Sequence, residues 1–506
     1  METTTMPSPL ISATELAGRI RRGEVSAADA VEAHIARIEE VNPRLNAVVV
    51  KRYDEARSEA REVDRARAAG EPLGPLAGVP VTIKESLDLA GTPSTFGIEA
   101  RRSVLAGRDE KHVARLRNAG AVVVGKTNVS QLLLYFESDN PVYGRTNNPH
   151  DPERSPGGSS GGEAAVLAAG GSALGLGTDL GGSLRVPAAF CGLAAIKPTA
   201  GRCDDLGRGS IPVGQRAIAS QVGVLGRSVR DVALGLEVIN GGAQPTLDGT
   251  LAPTMPLLPA AAVDVSRLRV AFYTDDGTFA PAPAARRAVR EAAAALAARG
   301  ASTCEQVPPD ARRARDLFFG ILAGDNLTGC RRALGHGKRD PRIAKMEMAA
   351  RAKWLVDLAL VASGRRRAKH EVVANYGRAD TDNYWQLVEA VLDYRDRCRE
   401  AFQGADVILG PVNALPAYRH GAAEEVVLGG AYTCLYNVLG WPAGVVPLTR
   451  VRPDEESDRA PSKDPMDRAA RETERGSAGL PIGVQVAAGP WREDLVLAAM
   501  SAIEAR

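Results

Sequence analysis

Histidine is scarce in this chain, six in 506 residues, and none lies inside its most glycine- and serine-rich stretch. A Ser-His-Asp arrangement therefore has no obvious histidine to use. The six cysteines (Cys191, Cys203, Cys304, Cys330, Cys398 and Cys434) are scattered, with no C-x-x-C. That argues against a disulfide or metal framework. No metal and no cofactor is expected, and reduced thiols fit a cytoplasmic protein. Net charge is nearly absent, +2 from 63 basic and 61 acidic residues, so nothing points to a nucleic acid as partner. Long apolar runs are missing too. The uncharged run between Glu163 and Asp179 is glycine-rich and shorter than the ~20 residues a spanning helix needs. The start, METTTMPSPL, lacks the basic and apolar parts of a signal peptide. No integral membrane segment is expected.

What the chain does have is apolar mass, 44% of its residues, enough for a sizeable core. Its length allows about three domains at ~150 residues each, although single α/β domains can be larger. Ser12 and Ser26 open helices, with Val31, Ile35 and Ile38 at helical spacing after the second. A polar helix follows from about residue 53 to 69. Residues 1–70 are thus expected to be a helical segment, and 71–506 a single catalytic domain. In that domain strand, turn and helix alternate. The fold class expected is α/β, a mixed central sheet covered by helices on both faces. Residues 341–369 form a basic amphipathic segment, with Ile343, Met346, Trp354, Leu355, Leu358 and Val361 amid Arg365 to Arg367. A cap around 325–370 or a homodimer face is the reading preferred there over a membrane-surface element. The stretch 241–263 reads as a surface excursion, and 452–478, charged and proline-containing, as a mobile insertion.

Residues 156–202 organise the rest: PGGSSGGEAAVLAAGGSALGLGTDLGGSLRVPAAFCGLAAIKPTAGR. Gly181-Gly182-Ser183 repeats, 24 residues on, the Gly-Gly-Ser ending in Ser159. Glycine tolerates backbone conformations closed to other residues, and successive N–H groups in such turns form anion-binding nests. A serine beside a nest suits acyl transfer. Taken alone the pattern also fits a flexible linker or a phosphate loop. The apolar helical run after Gly162, and Asp179 and Arg185 bracketing the second cluster, weigh against a linker. The missing Gly-Lys-Ser/Thr ending weighs against a phosphate loop. Upstream, Val79 to Ile83 reads as a buried strand that carries Lys84 inward. A lone lysine is usually a solvated charge, but burying one is costly without a partner.

This segment resembles the signature of the amidase signature hydrolases, with the likeness extending over most of residues 73–506. Within them it is most similar to the fatty acid amide hydrolase branch, through Lys84-Glu85, Tyr432 to Asn437 and Pro442 to Pro447. Animal fatty acid amide hydrolases carry an N-terminal membrane segment, which this chain does not match. The resemblance implies a Ser-Ser-Lys triad with Ser183 as nucleophile, Ser159 as bridge and Lys84 as base. It also implies an oxyanion hole from the amides of Leu180, Gly181, Gly182 and Ser183, and support from Ser160, Asp179 and Arg185. Leu132, Leu133, Leu134 and Phe136 match a segment that borders the acyl pocket in the related hydrolases. Nothing basic lies in that run to hold a carboxylate. Ala195 departs from the family's usual glycine, and a small packing change is expected there. The activity expected is hydrolysis of a small-molecule amide, with esters or carbamates as further substrates. A glutamine-hydrolysing amidotransferase subunit, which works with partner chains, is the alternative.

Overall fold

Short runs of β-branched residues build the centre of the molecule. Val79 to Ile83 reads as buried, and in the computed structural model all five residues of strand Pro80–Lys84 are inaccessible to solvent. The structure describes residues 8–203, 214–241, 255–363 and 380–506. Among these, eleven strands form one mixed sheet. From one edge its order is Val48–Lys51, Val122–Thr127, Pro80–Lys84, Leu174–Asp179, Gln221–Gly226 and Ala194–Lys197. It continues through Ala443–Arg450, Pro481–Ala487, Val407–Pro411 and Arg269–Phe272 to Ser302–Glu305. Pro80–Lys84 runs parallel to both of its neighbours, whereas Gln221–Gly226 runs antiparallel to both of its own.

Helices cover the sheet. Gly161–Ala168 packs on the strands ending in Lys84, Thr127 and Asp179, while Glu493–Glu504 and Pro283–Ala297 pack on the other half. This is the α/β, mixed-sheet architecture expected from the alternating pattern. The two parallel strands that flank Pro80–Lys84 bring the ends of three strands to one place, and the site is built there.

The N-terminal segment is more than helical. Ser12 caps Ala13–Arg21 by accepting from the Glu15 amide at 3.1 Å, and Ser26 caps Ala27–Leu45 through Asp29 at 2.9 Å. Between that helix and Tyr53–Ala68 lies strand Val48–Lys51, which pairs antiparallel with Val122–Thr127 and forms the sheet edge. Three valines in a row carry that signal, but the strand is four residues long and flanked by helices. Residues before 70 therefore share a sheet with those after it.

Residues 452–478 also differ from the expectation of a mobile insertion. They hold helix Pro465–Glu474, which buries Met466, Ala469, Ala470, Thr473 and Glu474. Arg459 pairs with Glu474 at 2.8 Å. The fully buried Arg154 donates to the carbonyls of Thr473 and Arg475 at 2.7 and 2.9 Å, lashing the segment to the body. A charged sequence folds here because its few small apolar residues fall on one helical face.

Around 325–370, helices Thr328–Leu334, Pro341–Arg351 and Lys353–Ala362 pack with Phe96, Ile98 and Leu132 into a second apolar cluster, separate from the main core. Residues 364–369, with Arg365 to Arg367, and residues 242–254 of the 241–263 excursion lie outside the described residues. No described helix is long and apolar enough to cross a membrane.

Candidate active site

Lys84 ends its strand pointing into the protein. It is fully buried, and its Nζ donates to Ser159 Oγ at 2.7 Å and Thr178 Oγ1 at 2.8 Å. Desolvation lowers its pKa to about 7, against the opposing pull of the Asp179 and Glu163 carboxyls. Ser159 follows a cis peptide bond from Gly158, and Ser160 leads directly into helix Gly161–Ala168. The Ser160 amide donates to the Ser183 carbonyl at 3.2 Å, so the two Gly-Gly-Ser clusters are tied together. Ser160 Oγ in turn donates to the Thr178 carbonyl at 3.3 Å.

The turn holding Ser183 is fixed by a buried ion pair. Arg185 donates to Asp179 from Nε at 3.0 Å and from its terminal nitrogen at 2.9 Å, with neither side chain exposed. Burial pushes the Asp179 carboxyl up, but the Arg185 guanidinium more than offsets this and holds it well below the usual carboxylate range. Arg185 also reaches the Thr433 carbonyl and Asn437 on helix Ala431–Leu439 and Gln485 on strand Pro481–Ala487, so two distant elements share one charge. Gly182 adopts φ +127°, a region that favours glycine, and a Cβ there would collide with the Thr433 side chain. The Gly182 amide donates to Asp179 Oδ1 at 2.8 Å and is therefore spent. The amides of Leu180, Gly181 and Ser183 donate to no described residue.

Ser183 opens into a cavity of about 910 Å³. Leu180, Gly181, Phe318 and Cys434 line it next to the serine. Leu133, Leu134 and Phe136 line it as anticipated, with Tyr135 between them. Leu132 does not. It turns away into the second apolar cluster, at φ +56°, with its amide bonded to the Phe96 carbonyl at 2.8 Å. Met346, Val356 and Leu360, from helices Pro341–Arg351 and Lys353–Ala362, also line it. Basic residues reach it from outside the leucine run. Arg342 faces Glu137 at 3.2 Å and Asp340, and Lys345 pairs with Glu424 at 2.8 Å.

Sequence reading missed Thr178, Thr433, Glu163 and Phe318. Thr178 and Glu163 lay within the glycine-rich stretch, but nothing in their spacing marked them. Phe318 comes from far along the chain with no local signal; Thr433 lies within the Tyr432 to Asn437 stretch that carried the resemblance, but nothing there marked the threonine itself. No described histidine lines the cavity or bonds to Lys84, Ser159 or Ser183; His370 lies outside the described residues. Among the described residues no group of three or more His, Cys, Asp or Glu side chains is placed to hold a metal ion.

A protein-family model described as Amidase matches residues 29–497. The chain belongs to the amidase family. This amidase-family chain is 34% identical to fatty acid amide hydrolase 1 of Caenorhabditis elegans, over 97% of its own length and 87% of the relative's. It is 35% identical to indoleacetamide hydrolase of Bradyrhizobium diazoefficiens, over 98% and 86%. Among solved structures it matches a fatty acid amide hydrolase with a TM-score of 0.86 at 26% identity, over 99% of this chain and 86% of that one. The resemblance to the fatty acid amide hydrolase branch therefore holds across the whole chain, residues before 73 included. The protein is an amidase-family hydrolase acting on amides.

Proposed function

We propose that this amidase cleaves amides of apolar acyl groups with Ser183 as nucleophile, Ser159 as proton bridge and Lys84 as base. The observation that carries the reading is the buried Lys84 amine, 2.7 Å from Ser159 Oγ, with the neighbouring Ser160 amide bonded to the carbonyl of Ser183, which lines a largely apolar cavity. A serine hydroxyl is a weak nucleophile unless a base removes its proton. With a pKa near 7, about half of Lys84 is an amine at neutral pH and can accept one. Lys84 takes the Ser159 proton as Ser159 takes that of Ser183, and Ser183 Oγ bonds to the amide carbonyl carbon. The oxygen gains negative charge, for which the unspent amides of Leu180, Gly181 and Ser183 are the available donors. The relay then runs in reverse: Lys84 returns the proton through Ser159 to the departing nitrogen, the C–N bond breaks, and an acyl-enzyme on Ser183 remains for water to hydrolyse. Asp179, Arg185 and Ser160 hold the two turns in register.

The cavity wall argues for apolar acyl groups. Leu133, Leu134, Phe136 and Phe318 offer no charge; of the three basic residues that line the cavity, Arg342 and Lys345 face acidic partners, and Arg468 donates to the Lys463 carbonyl. The test is kcat/KM for acyl anilides of rising chain length, with glutamine alongside. Each buried methylene contributes ~0.8 kcal/mol, nearly fourfold, until the cavity is full. A flat series, or glutamine as best substrate, overturns the specificity and leaves the serine-lysine chemistry standing.

A further inference from the structure

The turn that carries Ser183 contains two consecutive glycines, the most freely rotating pair a chain can have. Both positions are crowded. A Cβ on Gly181 would meet the Phe318 ring, and one on Gly182 would meet the Thr433 side chain. The turn has no side chains of its own at these positions to stiffen it, so what holds it comes from outside. The peptide unit between the two glycines is held at both ends. Its N–H, that of Gly182, donates to Asp179 Oδ1 at 2.8 Å. Its carbonyl, that of Gly181, accepts from Thr433 Oγ1 at 2.6 Å. No described backbone amide donates to that carbonyl. Cys434 Sγ, at 3.6 Å, is a weak donor, which leaves the Thr433 hydroxyl as the strong one.

Both holds trace to one helix. Thr433 and Asn437 stand four residues apart on Ala431–Leu439, and so share a face. Asn437 Nδ2 donates to Asp179 Oδ1 at 3.0 Å, the same oxygen that takes the Gly182 amide. Arg185, on the far side of the turn, ties the helix down by donating to the Thr433 carbonyl at 3.0 Å. We propose that Thr433 is a positioning residue for the oxyanion-binding turn. Its hydroxyl locks the Gly181–Gly182 peptide, and thereby aims the two unspent amides on either side of it, those of Gly181 and Ser183. The inference rests on Ser183 being the nucleophile and on those amides receiving the oxyanion.

Thr433 is fully buried and is no part of the cavity wall, so it acts through the turn and not on the substrate. Its hydroxyl has one hydrogen and two carbonyls within reach, Gly181 at 2.6 Å and Gly430 at 2.8 Å. Gly430 is the N-cap of the helix, a position whose carbonyl takes the first intrahelical amide. The Gly181 carbonyl has no such donor, and it is the nearer, so the hydrogen belongs there. Without it a buried carbonyl is left unpaired, a cost that two glycines can relieve by rotating. Rotation of that peptide re-aims the amides of Gly181 and Ser183 together. Donors stabilise a developing oxyanion only when they are aimed before the charge appears.

The experiment measures kcat and KM on an acyl anilide, and Ki for an alkyl trifluoromethyl ketone, which adds to a serine as a tetrahedral oxyanion. Wild type, Thr433→Val and Thr433→Ser are compared. Valine keeps the shape of threonine and drops the hydroxyl. In Thr433→Val kcat falls by about 10- to 100-fold, up to the cost of deleting one oxyanion donor outright. KM stays within about twofold, because only transition-state stabilisation is lost. The Ki of the ketone rises by the factor that kcat loses. Thr433→Ser keeps the hydroxyl and holds kcat within about threefold of the wild type. A wild-type kcat in Thr433→Val means that the residue only fills space beside Gly182, and overturns the proposal. A Thr433→Ser enzyme as slow as Thr433→Val overturns it too. Should Thr433→Val fail to fold, Thr433→Cys serves. A thiol is a weak donor, so kcat falls with KM unmoved, and a wild-type kcat there overturns the proposal equally. Ser183→Ala separates the two readings. Activity that survives in it refutes Ser183 as nucleophile; activity lost there but unchanged in Thr433→Val refutes this inference alone.

Discussion

Two buried lysines, one upstream of the signature and one near its end, make an instructive pair. Lys84 and Lys197 each end a strand of the central sheet and are 0% and 1% exposed, and desolvation lowers the pKa of each to about 7. Their surroundings differ. Lys84 is bonded to two hydroxyls, Ser159 and Thr178. Lys197 donates to two carbonyls, Pro198 at 2.9 Å and Trp441 at 2.7 Å. A carbonyl has no proton to give, so Lys197 closes two chain segments together and goes no further. A hydroxyl can pass a proton on, which is what the proposed relay asks of the groups bonded to Lys84. A shifted pKa therefore does not mark a base by itself; the partner does.

The largest expected effect lies at the end of the relay. Ser183→Ala should abolish fluorophosphonate labelling, with the wild-type adduct mapping to Ser183 alone; a labelled variant would place the nucleophile elsewhere. Lys84→Ala should lower kcat by about 10²–10⁴ and remove the acid limb, because the general base is gone. That limb is the rise in rate as Lys84 loses its proton near pH 7. Lys197→Met should do neither, keeping kcat/KM within about threefold and the limb in place, since no reacting group touches it. Comparable losses from the two variants would dissolve the distinction.

Gly182→Ala comes next. The added methyl meets Thr433 and the backbone sits at φ +127°, so the turn must shift and carry Ser183 with it. A displacement near 1 Å costs on the order of 10²-fold in kcat. Thr433→Ser should leave the wild-type rate nearly unchanged, and a Gly182→Ala enzyme of full activity would show that the turn is not under this constraint.

The smallest effects are in stability. Lys197→Met leaves two buried carbonyls without a donor, about 1–3 kcal/mol, read from urea denaturation. The pH dependence has a definite sign. Both lysines have folded pKa values depressed to about 7 from 10.5, so between those limits the unfolded chain binds more protons and stability rises with pH. Below about pH 7 the full cost of burying charged lysines is present. The rise from pH 7 to 9.5 should be shallower in Lys197→Met than in the wild type, one lysine contributing instead of two. Equal slopes would mean that Lys197 is not neutral when buried.

Much of the site was legible because its parts are local. Glycines at 157, 158, 181 and 182, serines at 159 and 183 and the valine-rich run before Lys84 each reflect a constraint acting within a few residues: a turn, a close approach, a buried strand. The arrangement of the sheet was legible in class but not in membership. The three valines at 48–50 were too few to declare a strand, and the charged run at 452–478 concealed a packed helix because Met466, Ala469, Ala470 and Thr473 sufficed to bury one face.

Sequence by itself determined the chemical end of this protein. The residue types and spacing of residues 156–202 alone also fit a linker or a phosphate loop, and it is their resemblance to the amidase signature, together with Lys84, that selects the family. Tertiary structure decided which amide of the nest is already spent on Asp179, that Leu132 faces away from the cavity while Tyr135 and Phe318 face into it, and which buried lysine meets a hydroxyl. Each of these depends on groups brought together from distant parts of the chain. Burial and hydrogen-bond partnership belong to the packed sheet and its helices, and no short stretch of sequence carries them.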